Sequence, residues 1–124
     1  MIIGNIEEGV YPRVHTTVVT SAGNVVEKML IDTGFDGEMA INYDAADRFE
    51  IELEEYLKIE YASGESIDEI YGHGKILWFD EIREVEIIFS NDEEPAIGTR
   101  LLNGCVMTMN FIGNTLTIDK PQSQ

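Results

Sequence analysis

The stretch Met29-Leu30-Ile31-Asp32-Thr33-Gly34-Phe35-Asp36-Gly37 contains the pattern that decides the fold. An apolar, strand-like segment runs directly into the carboxylate of Asp32 and then into a turn. Burial of an unpaired carboxylate is costly, so this residue is either a solvated strand end or a functional acid whose charge is shared or hydrogen-bonded. Asp-Thr-Gly by itself is too short a motif to decide between these two interpretations, and the surrounding sequence has to be considered.

The rest of the sequence predicts an all-β fold with one or two short helices. Glycine and β-branched residues recur about every ten residues, and long segments with helical spacing of apolar residues are absent. Three hairpins are predicted, with turns at Gly23-Asn24, at Ala62 to Ser66 and at Gly113-Asn114. Short helices are predicted at Tyr43 to Phe49 and at Thr99 to Asn103, which begin and end at suitable capping residues.

Length, charge and cysteine content limit the class of protein. A chain of 124 residues has room for one ordinary domain, which we place at residues 1–120, followed by a polar tail at 121–124. The net charge of −16 argues against nucleic acid and anionic membranes as partners, because both would be repelled. No signal peptide or membrane-spanning run is evident, and Cys105 is the single cysteine. We therefore expect a cytoplasmic protein.

The sequence shows no metal-binding pattern. An EF-hand that began at the Asp-Thr-Gly motif would place Gly34 at its third position and Tyr43 at its twelfth, where calcium ligands are required. His15, His73 and Cys105 are scattered, with no pair at the short spacing of zinc ligands. The same scatter argues against a serine or cysteine nucleophile with a histidine base. We expect no metal and no cofactor.

From residue 14 to residue 118 the sequence resembles the retropepsin-like (clan AA) family of aspartic proteases, in particular its small bacterial members. The apolar strand followed by Asp-Thr-Gly is the first matching element. The second is the predicted hairpin at Ala62 to Ser66, where the family carries its flap. The third is Ala96-Ile97-Gly98 followed by Leu101-Leu102, which is similar to the two apolar residues and the glycine that lead into the family's short helix. The resemblance implies a small closed β-barrel of the acid protease type.

The resemblance also implies an aspartic endopeptidase that acts as a homodimer on a peptide or protein substrate. The chemistry needs two carboxylates about 3 Å apart that share one proton. This chain contains one Asp-Thr-Gly and no Asp-Ser-Gly, so the second carboxylate would be Asp32 of another copy. Retroviral members usually have Arg directly after the third element's glycine, whereas this chain has Thr99 and then Arg100. Whether the dimer uses terminal strands, as retroviral enzymes do, or another contact stays open.

Site residues follow from the resemblance. The implied catalytic residues are Asp32, Thr33 and Gly34, with Thr33 bonding across the dimer. The implied substrate-binding residues are Phe35, Asp36, Gly37, Ser63, Gly64 and Glu65. Asp36-Gly37 is equally consistent with an ordinary turn, and the predicted flap with an ordinary exposed hairpin. An alternative function is a non-catalytic retropepsin-like dimerisation or peptide-binding module, because fold does not determine function.

Overall fold

The computed structural model describes residues 1–49, 51, 53–60, 62–64, 66–90 and 94–121. Within these residues the chain forms ten strands and two short helices. In chain order they are β1 (Ile2–Glu7), β2 (Tyr11–Thr20), β3 (Gly23–Ile31), β4 (Met39–Asn42), α1 (Tyr43–Arg48), β5 (Leu53–Glu60), β6 (Ser66–Trp78), β7 (Glu81–Ser90), β8 (Ala96–Ile97), α2 (Thr99–Leu102), β9 (Val106–Asn110) and β10 (Thr115–Asp119).

The strands form one mixed sheet that closes on itself. The order across the sheet is β5-β6-β7-β4-β8-β3-β2-β1-β10-β9, and an additional antiparallel pairing of β2 with β6 closes a ring of six strands. The pairs β3–β8 and β4–β7 are parallel, and the other pairs are antiparallel. The prediction of a closed β-barrel with one or two short helices is confirmed.

The barrel encloses a core of apolar side chains that alternate along the strands. In β7, Val85, Ile87 and Phe89 are buried while Glu84 and Glu86 are exposed, because successive side chains of a strand point to opposite faces. Burial of each large apolar side chain contributes about 1.5–3 kcal/mol. The most completely buried large side chains are Met29, Met39, Ile41, Ile76, Ile87, Ile97, Leu101, Leu116, Ile118, Val14, Val18 and Val85.

The hairpin between β2 and β3 forms as predicted, but its turn lies earlier than predicted. Thr20 pairs with Gly23, so Ser21 and Ala22 form the turn and Gly23 already belongs to β3. The hydroxyl of Thr20 accepts a hydrogen bond from the Ala22 N–H at 3.2 Å and donates one to the Gly23 carbonyl at 2.7 Å. Side-chain hydrogen bonding by Thr20 therefore stabilises a turn that the glycine pattern placed at Gly23-Asn24.

The other two predicted hairpins are confirmed. In the β5–β6 hairpin Glu60 pairs with Ser66, and Gly64 has a φ of 88°, which glycine adopts without strain. In the β9–β10 hairpin Asn110 pairs with Thr115 across a turn at residues 111–114. Asn114 has a φ of 57° in that turn, a conformation that Asn tolerates better than most residues.

Both short helices are confirmed, each ending one residue earlier than predicted. The side-chain oxygen of Asn42 accepts a hydrogen bond from the Ala45 N–H at 2.8 Å and caps α1 at its beginning. The chain turns away after α2 through Gly104, which has a φ of 82°. Among the described residues, no helix has the length and apolar character needed to cross a membrane.

Candidate active site

Asp32 lies directly after the end of β3, where the backbone is held by the neighbouring strand β8. The Asp32 N–H donates to the Ile97 carbonyl at 2.9 Å, and two residues earlier the Leu30 N–H donates to the Pro95 carbonyl at 2.9 Å. Because β3 and β8 pair in parallel, with Ile31 opposite Ile97, the hydrogen bonds continue to the last residue before the turn. The position of the Asp32 backbone is therefore set by the barrel rather than by a free loop.

The loop after Asp32 is a tight turn that binds the carboxylate. Oδ1 of Asp32 accepts a hydrogen bond from the Gly34 N–H at 2.9 Å, and the Phe35 N–H donates to the Asp32 carbonyl at 3.2 Å. Asp32 is half-buried, whereas Thr33 and Gly34 are exposed. One carboxylate oxygen is thus oriented by the backbone, and the tip of the turn is open for contact with another molecule.

β8 lies between β3 and β4, so the loop 32–38 crosses over the end of β8 before the chain returns as β4. Ala96 pairs with Leu30 on one side and with Ala40 on the other. At the end of β8, three successive backbone N–H groups bind the carbonyls of the loop. The Gly98 N–H donates to Glu38 at 3.1 Å, the Thr99 N–H to Phe35 at 2.9 Å and the Arg100 N–H to Gly37 at 3.1 Å. The first and third predicted sequence elements therefore form one structural unit.

Two glycines allow the close packing of this unit. A Cβ atom on Gly98 would lie 2.6 Å from Cδ2 of Phe35 and 2.7 Å from the Phe35 carbonyl oxygen, distances that real Cβ atoms do not show. A Cβ atom on Gly37 would collide with the ring of Phe35, at 2.7 Å from Cε1. The half-buried Phe35 thus packs its ring against Gly37 and Gly98, and this packing leaves room for no larger residue.

Glu38 also stabilises the loop, and the sequence analysis did not identify it. Its carboxylate accepts a hydrogen bond from Nη2 of Arg83 at 2.9 Å and another from the backbone N–H of Glu86 at 3.0 Å. The side chain is only 15% exposed, so these bonds form in a partly desolvated environment. A charged residue in a glycine-rich turn is usually solvated, and no sequence signal links Glu38 to a strand that begins more than forty residues later.

The predicted site residues fall into two groups. Asp32, Thr33, Gly34, Phe35, Asp36 and Gly37 lie in one loop, where Asp36 is exposed and Gly37 is buried. Ser63 and Gly64 lie in the separate turn between β5 and β6 and are exposed. Glu65 lies outside the described residues. Among the described residues, no three His, Cys, Asp or Glu side chains are grouped so that they could hold a metal ion.

The fold is that of the retropepsin-like aspartic proteases. The chain is similar to the crystal structure of a retropepsin-like aspartic protease from Rickettsia conorii, with a TM-score of 0.62 and 15% identity over 94% of this chain and 96% of that one. It is also similar to the EIAV protease complexed with the inhibitor HBY-793, with a TM-score of 0.50 and 15% identity over 73% of this chain and 85% of that one. No protein-family model matches the sequence. None of the curated proteins matches it either.

Proposed function

We propose that this protein is an aspartic endopeptidase whose active site contains Asp32 from each subunit of a homodimer. The observation that carries the proposal is the arrangement of Asp32 in a retropepsin-like fold: its backbone is bound to β8, and Gly34 orients its carboxylate at 2.9 Å beside an exposed turn. A carboxylate held in this way beside an exposed turn can act as an acid or a base on a bound substrate. One such group per chain makes a second copy necessary.

The proposed reaction uses the two carboxyl groups in opposite protonation states. The ionised Asp32 takes a proton from a water molecule, and the water oxygen attacks the carbonyl carbon of the peptide bond. The protonated Asp32 of the second copy donates its proton to the carbonyl oxygen, which gives a tetrahedral diol. The C–N bond then breaks: the carboxyl group that took the water proton gives it to the amine nitrogen, the other carboxylate takes a proton from a diol hydroxyl, and the pair again shares one proton. No metal or cofactor takes part in these steps.

The proposal assigns the remaining roles to the other residues of the Asp32 loop and to the turn between β5 and β6. Thr33 is exposed beside Asp32 and would bind across the dimer, and the exposed carboxylate of Asp36 would bind the substrate main chain. Phe35 and Gly37 would shape the site through the packing of the loop. Ser63, Gly64 and Glu65 would close over the bound peptide as a flap.

Charge indicates the class of substrate. Each chain carries a net charge of −16, and a dimer carries about twice that, so acidic peptides are repelled and cationic peptides are attracted. We therefore propose that neutral and basic peptides are cleaved in preference to acidic ones. This preference should weaken as salt is added, since screening shortens the range of the electrostatic field.

Substitution of Asp32 tests the catalytic role. Asp32→Asn should abolish cleavage of a mixed peptide library while the chain stays folded, because the amide can neither accept the water proton nor share a proton with its partner. Asp80→Asn is the matched control: Asp80 is exposed in another turn with a φ of 63°, which Asn tolerates, and activity should be unchanged. Wild-type turnover in Asp32→Asn would refute the proposal. Peptide binding without cleavage by the wild-type chain would favour the alternative binding module.

A mixing experiment tests whether the site is shared. If subunits exchange freely, a ninefold excess of the Asp32→Asn chain should lower wild-type activity about tenfold, because most wild-type chains then sit in mixed dimers. The same excess of the Asp80→Asn chain should raise activity instead. Activity that is independent of added Asp32→Asn would show that one chain is sufficient for cleavage.

A transition-state mimic gives an independent test. A pepstatin-like inhibitor should bind the dimer and raise its melting temperature, since a ligand that binds only the native state stabilises it by mass action. In the Asp32→Asn variant, the inhibitor should raise the melting temperature much less. No thermal shift at saturating inhibitor would favour the non-catalytic binding module.

A further inference from the structure

The pairing of β2 with β6, which closes the barrel, is short, and the two strands separate at one end of it. Val19 pairs with Lys75, but the next residue of β2, Thr20, has no partner on β6 and pairs with Gly23 of β3 instead. Beyond Lys75, at Gly74, β6 is paired with β7. The barrel wall therefore has an opening where β2 and β6 diverge.

This opening leads into a cavity of about 230 Å³ with an apolar floor. The floor includes the buried Val18 and Phe49 and the half-buried Ile51. Gly74 has no side chain to fill the space, and a Cβ atom on it would lie 3.4 Å from Cδ1 of Ile51. An apolar cavity of about 150 Å³ can hold a benzene molecule. The cavity beside Gly74 therefore has room for a compact apolar group.

The mouth of the cavity is basic, in contrast to the chain as a whole. The exposed residues His73 and Lys75 line it, and none of the described lining residues is acidic, although the chain has 24 acidic and 8 basic residues. Within the described part of the chain, Lys75 forms no ion pair. Four other basic residues each pair with a glutamate: Arg13, Lys28, Arg48 and Arg83. The ammonium group of Lys75 is thus available to an anion.

The neighbouring strands determine where such an anion can lie. Lys75 lies opposite Glu84 of β7 on one side and opposite Val19 of β2 on the other, and Glu86 of β7 lies opposite His73. A carboxylate is repelled on the β7 side, where both glutamates lie. On the β2 side it can contact the ammonium group of Lys75 while an attached apolar group enters the cavity.

The cavity lies at the base of the β5–β6 hairpin. Leu53 and Gly72 form the hairpin pair nearest to the barrel. Ile51 comes two residues before Leu53 and Gly74 comes two residues after Gly72, and both line the cavity. A ligand that contacts both ends of the hairpin favours the arrangement in which these ends lie side by side.

From these observations we infer that the cavity binds a small organic acid, composed of a carboxylate and a compact apolar group, and that the bound acid stabilises the β5–β6 hairpin. The carboxylate pairs with Lys75 at the mouth, and the apolar group contacts Phe49 and Ile51 on the floor. A free acid and the carboxyl end of a peptide present the same chemistry. Because the hairpin carries Ser63 and Gly64, an effect of the ligand on peptide cleavage would follow, and that consequence alone rests on the proposed function.

A titration with phenylacetate tests the site. In an NMR titration of the ¹⁵N-labelled chain, phenylacetate should give saturable shifts of the amide signals of Val19, Ile51 and Gly74. Acetate lacks the apolar group and phenylacetamide lacks the charge, so each should bind at least tenfold more weakly. Saturable shifts confined to another part of the chain, or equal binding of all three compounds, would overturn the inference.

A matched pair of substitutions tests the role of Lys75. Lys75→Gln should weaken phenylacetate binding about tenfold, because the carboxylate loses its charged partner. Lys120→Gln is the control: Lys120 is exposed outside the cavity, the substitution changes the net charge equally, and phenylacetate affinity should be retained. An unchanged affinity in Lys75→Gln, or equal weakening in both variants, would refute a specific contact with Lys75.

Hydrogen exchange tests the effect on the hairpin. Saturating phenylacetate should slow amide exchange in β5 and β6 of the wild-type chain and leave β9 and β10 unchanged, since the ligand contacts only the base of the β5–β6 hairpin. The same concentration should have little effect on Lys75→Gln. Exchange in β5 and β6 that is identical with and without bound phenylacetate would refute the stabilisation of the hairpin.

Two short peptides identify the source of the carboxylate. Peptides that end in phenylalanine, one with a free carboxyl group and one amidated, are compared by the same titration. Binding of the free peptide but not of the amide would support the carboxyl end of a peptide as ligand, whereas binding of phenylacetate alone would support a free acid. Binding that is lost in Lys75→Gln, in a chain that cleaves no peptide, would support the site and refute the protease proposal. Peptide cleavage by a chain that binds none of these compounds would refute the site alone.

Discussion

Gly98 packs directly against the backbone of Phe35: a Cβ atom added to Gly98 would lie 2.7 Å from the Phe35 carbonyl oxygen. That same carbonyl accepts a hydrogen bond from the Thr99 N–H at 2.9 Å, so it has little freedom to move away. The contact joins the end of β8 to the loop that carries Asp32. A substitution that disturbs this contact should affect both the stability of the fold and the geometry of the proposed site.

Gly98→Ala should destabilise the protein by about 1–3 kcal/mol or more, as overpacked substitutions do. The cause is steric, because Gly98 has a φ of −101°, which any residue can adopt. Urea unfolding measures the change. Gly113→Ala is the control, since its Cβ would meet its nearest neighbour at an ordinary 3.8 Å, and stability should be retained. Equal effects of the two substitutions would contradict the steric explanation.

Gly34→Ala should lower activity more than stability. A Cβ on Gly34 would lie 3.2 Å from Oδ1 of Asp32, a tight contact that pushes on the carboxylate while the exposed turn can relax. We expect kcat to fall roughly tenfold, since small displacements of reacting groups are costly, while the melting temperature changes little. Steady-state kinetics with a cleavable peptide measure the effect, and Gly113→Ala again serves as control. An unchanged kcat would show that this contact does not position the carboxylate.

Glu38→Ala should destabilise the protein by about 1–3 kcal/mol, because the backbone N–H of Glu86 and the guanidinium of Arg83 lose a partly buried acceptor. Glu84→Ala is the matched control on β7, where Glu84 is exposed and substitution should have little effect. Chemical denaturation of both variants gives the comparison. A similar small decrease in the free energy of unfolding of both variants would mean that the hydrogen bonds of Glu38 contribute no more than an ordinary surface charge.

Acid should weaken the native state partly through Glu7. The hydrogen bond that Lys28 donates to its carboxylate holds the pKa of Glu7 below the ordinary value of 4.5, and the nearby charge of Arg13 acts in the same direction. A lowered folded-state pKa stabilises the protein above the unfolded pKa, and this contribution is lost as the pH falls through the folded value. Below pH 4.5, the free energy of unfolding should therefore decline less steeply in Glu7→Gln than in the wild type. In Glu84→Gln, the free energy of unfolding should decline as it does in the wild type. Identical curves of unfolding free energy against pH for all three chains would contradict this role of Glu7.

Features encoded by neighbouring residues were predictable from the sequence. The strand that leads into Asp32, the cap of α1 by Asn42 and the turn with Asn114 each depend on residues close together in the chain. The β2–β3 turn shows the limit of this reasoning. Gly23-Asn24 and Ser21-Ala22 are both acceptable turns, and the hydroxyl of Thr20 together with the strand register selects the second.

Individual contacts between distant residues were not predictable. The bond between Glu38 and Arg83 and the pairing of Leu30 with Ala96 join segments that are far apart in the chain. Local propensity carries no information on such pairs, because they are selected by the packing of the whole core. The open edge at β9 is of the same kind, since it depends on the order of the strands across the whole sheet.

By itself, the sequence determined that the chain is a β protein in which an apolar strand leads into Asp32 and a tight turn, because strand periodicity and turn chemistry are local properties. Only the tertiary structure decided that β8 lies between β3 and β4, that its end binds the Asp32 loop through three backbone hydrogen bonds, and that β9 is left as an open edge. These relationships require closure of the barrel, where the burial of one shared core selects a single arrangement of strands.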